Sequence, residues 1–237
     1  MRFLTTLFLP YDLYERHSVV CRLLAEALGE RSGGSCVLDV GGRAGLLERF
    51  VAFRVIAVNL DGSGHLAGSG FALPFADGSF DAVVTLDTLE HMPREARLPF
   101  IRECCRVARQ FVIVAAPFGS KGHAVLEARL YNLYQSRYGE PHAYLGEHVR
   151  YGLPDTEELD QLASSLQIAR SRRLYAGDYV RQAKRFERII QGHQERGLLA
   201  RITNFHHYVA SWAIFHRVRL SDQPNATTNR FYWLIGK

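Results

Sequence analysis

No run of about 18 apolar residues occurs in this sequence, so no segment is read as a membrane-spanning helix. Cysteine is scarce. Cys21, Cys36, Cys104 and Cys105 show neither a CxxC nor a Cys/His spacing, which argues against a zinc site or a disulfide framework. The opening "MRFLTTLFLP" is apolar for only a few residues and lacks a small-residue cleavage site, so it is not read as a signal peptide. A reducing cytoplasm is the expected location. Lysine is rarer still, 3 residues against 26 arginines, a bias expected of a high-GC, bacterial genome. Internal repeats and low-complexity linkers are absent as well.

What is present suffices for a packed core, since 47% of the 237 residues are hydrophobic. The net charge of +5 is unevenly spread. Residues 1–169 carry 16 Lys/Arg against 20 Asp/Glu, whereas 170–219 carry 11 against 3. A basic segment is thus attached to a slightly acidic domain. Its arginines either meet phosphate, anionic lipid or nucleic acid, or form a solvated helix face.

Alternating strands and helices predict a doubly wound α/β sheet. Pro10 starts a helix to about Leu28 that Gly29 stops. "CVLDV" is the first strand, and "AGLLERFV" reads as the helix after its loop. "RVIAVNL" and "FDAVVTL" are strands, "REARLPFIRECCRVA" is helical with an irregularity at Pro99, and "QFVIVAAP" is a further strand. A polar, aromatic stretch runs from Phe118 to Gly152. Asp155 or Thr156 then caps the helix "PDTEELDQLASSL", "QIARSRRLY" is a strand, 177–219 reads as two helices, and "RFYWLIGK" is the last strand. The expected organisation is one domain, with an N-terminal helical segment (1–34), a core (35–117), an insertion (118–152) and a basic helical decoration (170–219).

In such a sheet, ligands sit at the carboxyl ends of the strands. That rule gathers the loop Asp39–Gly45, the strand end at Asn59 and Asp61, and the strand end Leu86–His91 around one crevice. These motifs also carry a resemblance. "VLDVGGRAG", "VIAVNLD", "ALPFADGSFDAVVTLDTLEHMP", "IRECCRVAR" and "FVIVAAP" resemble the class I S-adenosylmethionine-dependent methyltransferases, in particular the branch that includes quinone-biosynthesis enzymes. The likeness covers roughly residues 35–117, and "LPFADGSFD" with "LEH" is its most specific part. It implies a Rossmann-like seven-stranded sheet, mostly parallel with an antiparallel last strand, and S-adenosyl-L-methionine over the first loop.

The resemblance also implies site residues. Gly41, Gly42 and Gly45 would let the backbone approach the methionine end of the cofactor. Asp39 would fix the loop or accept from the cofactor's ammonium group. Three positions depart from the family pattern: Arg43 replaces a loop glycine, Asn59 replaces the acid that takes the ribose hydroxyls, and Ser69 replaces the acid near the adenine amine. Asp61 stands two residues after Asn59, while Gly70 and Phe71 would hold the ring. Arg43 either swings outward or points into the crevice. Asp87 closes the cofactor set.

His91 and His148 are the candidate catalytic residues. Imidazole titrates near neutrality, so His91 suits a general base toward an acceptor hydroxyl; otherwise Glu90 and His91 brace the following helix. Asp87, Glu90 and His91 also share an acid-x-x-Glu-His spacing that some quinone and RNA methyltransferases use to hold a divalent ion. No metal is expected beyond that alternative.

The acceptor side should come from 118–152, where Tyr131, Tyr134, Tyr138, Tyr144 and Tyr151 accompany His142 and His148; the same stretch could instead merely cover the sheet edge. "HAYLGEHVRYGLP" resembles a segment of bacterial methyltransferases associated with surface-glycan assembly. "NFHHYVASWAIFHRVRL" offers aromatics at helical spacing among arginines, for core packing, a dimer partner or peripheral membrane contact through 200–219. The expected activity is O-methylation of a sugar, glycoconjugate or small metabolite. A nucleic-acid methyltransferase is the weaker alternative, because no Asn/Asp-Pro-Pro-Tyr-like motif follows the fourth strand. A non-catalytic scaffold is the other.

Overall fold

The computed structural model describes residues 9–29, 34–192 and 218–237. Seven strands form one sheet: β1 (Cys36–Val40), β2 (Arg54–Asn59), the two-residue β3 (Leu66–Ala67), β4 (Phe80–Leu86), β5 (Ala108–Pro117), β6 (Arg170–Asp178) and β7 (Thr228–Gly236). Their order is β3-β2-β1-β4-β5-β7-β6. The first five strands pair in parallel, and β7 runs antiparallel to both of its neighbours, β5 and β6. The expected sheet is the observed one.

The period-two alternation of each strand feeds two cores on opposite faces. Val37, Ala82, Val84, Ile113 and Tyr232 face one; Leu38, Val83, Val112, Val114, Phe231 and Trp233 face the other. Helix α1 (Tyr11–Leu28) covers the first face with Val19, Val20, Leu23 and Leu24. Pro10 precedes it and Gly29, at φ +65°, ends it. On the second face lies α2 (Arg94–Val107), which tolerates Pro99 and buries Phe100, Ile101 and Cys104.

Three helices follow β5 in the chain: α3 (Lys121–Tyr138), α4 (Ala143–Tyr151) and α5 (Thr156–Ser165). Asp155 caps α5 by accepting from the Glu158 N–H at 2.9 Å. Helix α6 (Tyr179–Ile190) turns Ala183, Phe186 and Ile190 onto Leu130 and Leu145, so the start of the basic segment packs rather than standing free in solvent. The second helix expected in 177–219, with Phe205, Tyr208, Trp212 and Phe215, falls largely outside the described residues, as does most of the 200–219 membrane-contact segment. Among the described residues, no helix is long and apolar enough to cross a membrane, and all four cysteines are free.

One expectation needs correction, and two features went unread. "AGLLERFV" is a single 3₁₀ turn at Leu47–Arg49, not a helix. Its bonds run to the third residue back, from the Leu46 N–H to the Arg43 carbonyl and from the Phe50 N–H to Leu47. A parallel crossover needs about a dozen residues, and here part of that length is the glycine loop, which leaves no room for an α-helix. The short β3 was not legible because both its residues are exposed. The aromatic stretch 118–152 is helical: α3 buries His123, Glu127 and Leu130, two of them polar, so no apolar stripe announces it.

Arg97, on α2, is fully buried. Its Nε donates to the Leu89 carbonyl at 3.0 Å, and its Nη1 donates to both Glu158 carboxylate oxygens at 2.7 and 2.9 Å. Its Nη2 donates to the Tyr151 and Gly152 carbonyls. Arg97→Ala would strand a buried carboxylate and should cost about 3–5 kcal/mol in urea unfolding, whereas the paired Arg97→Met/Glu158→Leu change should cost clearly less.

Candidate active site

β1 ends at Val40 and the chain enters the loop with two glycines in the left-handed region, Gly41 at φ +86° and Gly45 at φ +80°. A Cβ on Gly41 would lie 2.5 Å from the Thr88 Oγ1, and one on Gly42 would lie 1.9 Å from Oδ2 of Asp39. The loop is therefore folded tightly over the Asp39 carboxylate, which is only 2% exposed. Its Oδ1 has no hydrogen-bond partner. Burial, with the Glu48 charge adding and Arg16 opposing, pushes the Asp39 carboxyl up to about 7.

Asn59, at the end of β2, turns its amide toward this loop. Nδ2 donates to the Gly41 carbonyl at 3.0 Å and to the Ser63 Oγ at 3.1 Å, with a longer contact of 3.4 Å to the Gly42 carbonyl. Asp61 accepts from the Ser63 N–H at 2.8 Å. Hydrogen bonding from Ser63, aided by the charge of Arg43, holds its carboxyl below the usual range. Arg43 itself is exposed. Ser69 accepts from the Phe71 N–H at 3.2 Å. Gly70 leaves no room for a side chain, because a Cβ would sit 2.4 Å from the Phe100 ring. Phe71 is exposed and stands edge-on to Phe100 at 5.7 Å, and Leu60, after β2, is exposed too.

Past β4, Asp87 takes φ +51°, a conformation that aspartate tolerates better than most residues. Its carboxylate lies between Arg16 of α1 and Arg230 of β7. The turn Leu89–His91 follows. His91 Nδ1 bonds Glu147 Oε2 at 2.8 Å, and the His91 and His148 ring centroids are 4.9 Å apart. His148 Nδ1 bonds Glu127 Oε1 at 3.0 Å, while its Nε2 is buried without a partner. Tyr144, exposed, stands edge-on to His91 at 5.2 Å. Burial, then the neighbouring His148, lowers the His91 pKa against the opposing pull of Glu147. Burial also raises Glu90, 1% exposed, to about 8.

The profile of the methyltransferase domain family matches residues 38–115, from β1 to β5. An uncharacterized methyltransferase of Mycobacterium marinum is 33% identical over 152 residues, which is 52% of this chain and 59% of that relative. One of Mycobacterium avium is 34% identical over 119 residues, 40% of this chain and 46% of the relative. The match therefore spans only about half of these relatives' length. Over residues 38–115 this chain is similar to the methyltransferase domain family. Solved structures agree on the fold. The YcgJ protein of Bacillus subtilis superposes with a TM-score of 0.51 at 20% identity, covering 93% of this chain and 97% of that one. The phosphoethanolamine N-methyltransferase 2 of Haemonchus contortus, in complex with S-adenosyl-L-methionine, has a TM-score of 0.51 at 13% identity, covering 96% of this chain and 56% of that one.

Within the matched region the three departures take on local roles. Arg43 is exposed, Asn59 braces the loop it follows, and Ser69 closes a tight turn. The structure also gathers residues that spacing did not. Asp87 is held by two arginines, so the trio of ligand-type groups brought together is Glu90, His91 and His148, not Asp87, Glu90 and His91. Arg16, Arg230, Glu127 and Glu147 were all missed. The i,i+4 pairing of His123 with Glu127, 3.6 Å apart, is the one signal that pointed toward α3. Tyr134 and Tyr138 pack on each other at 4.6 Å, which leaves Tyr144 as the tyrosine beside His91.

A carboxyl raised in the folded state binds its proton more tightly there than in the unfolded chain. Asp39 thus favours folding at low pH, and that contribution is lost as pH rises from 3.8 to about 7. Asp39→Asn should remove this dependence, so the variant should gain stability relative to the parent across that window. Denaturant unfolding at several pH values checks it.

Proposed function

We propose that this chain is an S-adenosylmethionine-dependent methyltransferase that O-methylates a sugar, glycoconjugate or small metabolite. The observation that carries the reading is the buried, unpartnered Asp39 Oδ1 under a glycine loop at the carboxyl end of β1. A cationic ammonium group matches that orphaned acceptor. Gly41, Gly42 and Gly45 would keep the loop close to the cofactor's amino-acid end, and Phe71 with Leu60 would give the adenine an apolar face. When bound, the cofactor supplies an already activated methyl group on a sulfonium. The protein's share is then mainly positioning, which accounts for large rate factors without strong acid–base help.

On the acceptor side, Glu147 fixes the His91 tautomer with the proton on Nδ1, which leaves a lone pair on Nε2. His91 thereby holds or accepts the proton of a hydroxyl, and Tyr144 offers a ring face to a sugar or an aromatic acceptor. His148 shapes the same wall. A second reading, a scaffold that keeps the fold without transfer, draws on one observation: the donor of Asn59 is already engaged with the loop and with Ser63.

Calorimetric titration with S-adenosylhomocysteine separates them. Binding in the micromolar range is expected for the wild type. Arg43→Gly should change it by no more than about twofold, as for an exposed side chain, and Gly42→Val should abolish it. Absence of binding by both the wild type and Arg43→Gly would move the scaffold reading ahead.

A further inference from the structure

We infer that Glu90, His91 and His148 form a site for one divalent transition-metal ion of the Zn²⁺ type. One ligand atom from each of the three residues lies within 4.8 Å of the other two. His91 Nε2 and Glu90 Oε1 are 4.0 Å apart, too far for a hydrogen bond to each other. Donors about 2.0–2.1 Å from one ion in a tetrahedral site stand roughly 3.4 Å apart, so small side-chain rotations close the set around an ion.

The surroundings support a cation more than a chance meeting of polar groups. Each imidazole has its Nδ1 tied to a carboxylate, His91 to Glu147 at 2.8 Å and His148 to Glu127 at 3.0 Å. That arrangement puts the proton on Nδ1 and leaves the Nε2 lone pair available to an ion, as the outer carboxylates of metal-bound histidines do. His148 Nε2 and Glu90 Oε2 are both buried with no hydrogen-bond partner. Two imidazoles and a carboxylate meet at one spot, and two of their acceptor atoms have no protein donor there. An ion answers all three.

The donor set also selects the ion. Two imidazoles and one carboxylate suit Zn²⁺ or Co²⁺, whereas Mg²⁺ favours an all-oxygen shell. Three protein ligands leave at least one position for water or an acceptor oxygen. With the ion bound, His91 Nε2 is a ligand and the ion takes over the hold on an acceptor hydroxyl. The ion would further join the turn after β4 to α4, since Glu90 and His91 belong to the first and His148 to the second. The inference stands on these groups alone and does not require that the chain transfer methyl groups.

The test uses the full chain, stripped with chelator, incubated with Zn²⁺ or Co²⁺, gel-filtered and assayed for metal per chain. One equivalent retained by the wild type is expected, with His148→Ala and Glu90→Gln retaining little and His65→Ala, outside the cluster, retaining as much as the wild type. Glu127→Gln leaves the three ligands in place and should weaken binding about 10–100-fold. It carries the test if His148→Ala does not fold by circular dichroism. No retained metal in the wild type, or equal retention in the wild type, His148→Ala and Glu127→Gln, would overturn the inference. Mg²⁺ retained as tightly as Zn²⁺ would overturn the choice of ion. A cofactor titration on the stripped protein is read separately, so failure of the metal site leaves the methyltransferase reading standing.

Discussion

A single buried cation ties the turn after β4 to α4 and α5. Arg97 reaches from α2 to the Leu89 carbonyl in the turn after β4, to the Tyr151 and Gly152 carbonyls at the end of α4, and to Glu158 on α5. A guanidinium has donors enough to satisfy all of these at once, in fixed directions. Desolvating it is expensive, so the charge is tolerable only with the carboxylate opposite and every N–H answered. That requirement sets the turn bearing Glu90 and His91 in a fixed relation to the helix bearing His148. The meeting of the two histidine rings follows from it.

A second buried charge system performs the same service at the end of β4. Asp87 is gripped by Arg16 from α1 and Arg230 from β7. Burial, followed by the repulsion of Arg16, lowers Arg230 to about 10. The two arginines would repel without the carboxylate between them, so Asp87 holds the helical N-terminal segment and the last strand to the end of β4. Its positive φ is compatible with that role, because the backbone must turn sharply there to present the side chain.

Between these two anchors the crevice has distinct walls. One is the glycine loop, braced by Asn59 and closed over a carboxylate that lacks a donor. The other is a set of imidazoles and carboxylates beside an exposed tyrosine. The first suits a cationic amino-acid group. The second suits a hydroxyl or a metal ion. Under the proposed function, methyl transfer would ask mainly that two such walls stand at a fixed separation, and the buried ion pairs would supply that rigidity.

The antiparallel last strand was implied by the family resemblance; the sequence by itself determined six of the seven strands and the placing of the glycine loop at a strand's carboxyl end. Those features depend on local rules: period-two apolar runs, Pro10 and Gly29 as helix limits, Asp155 as a cap, and glycines where φ turns positive. It did not disclose α3 and α4 as helices, because α3 hides polar residues where a stripe of apolar ones would have marked it. Nor did it show that Asp87 belongs to two arginines, or that His91 meets His148, 57 positions away. Such pairings rest on charge neutralisation in a dry interior, which joins residues by space rather than by spacing, and only the tertiary structure decides which carboxylate each cation meets.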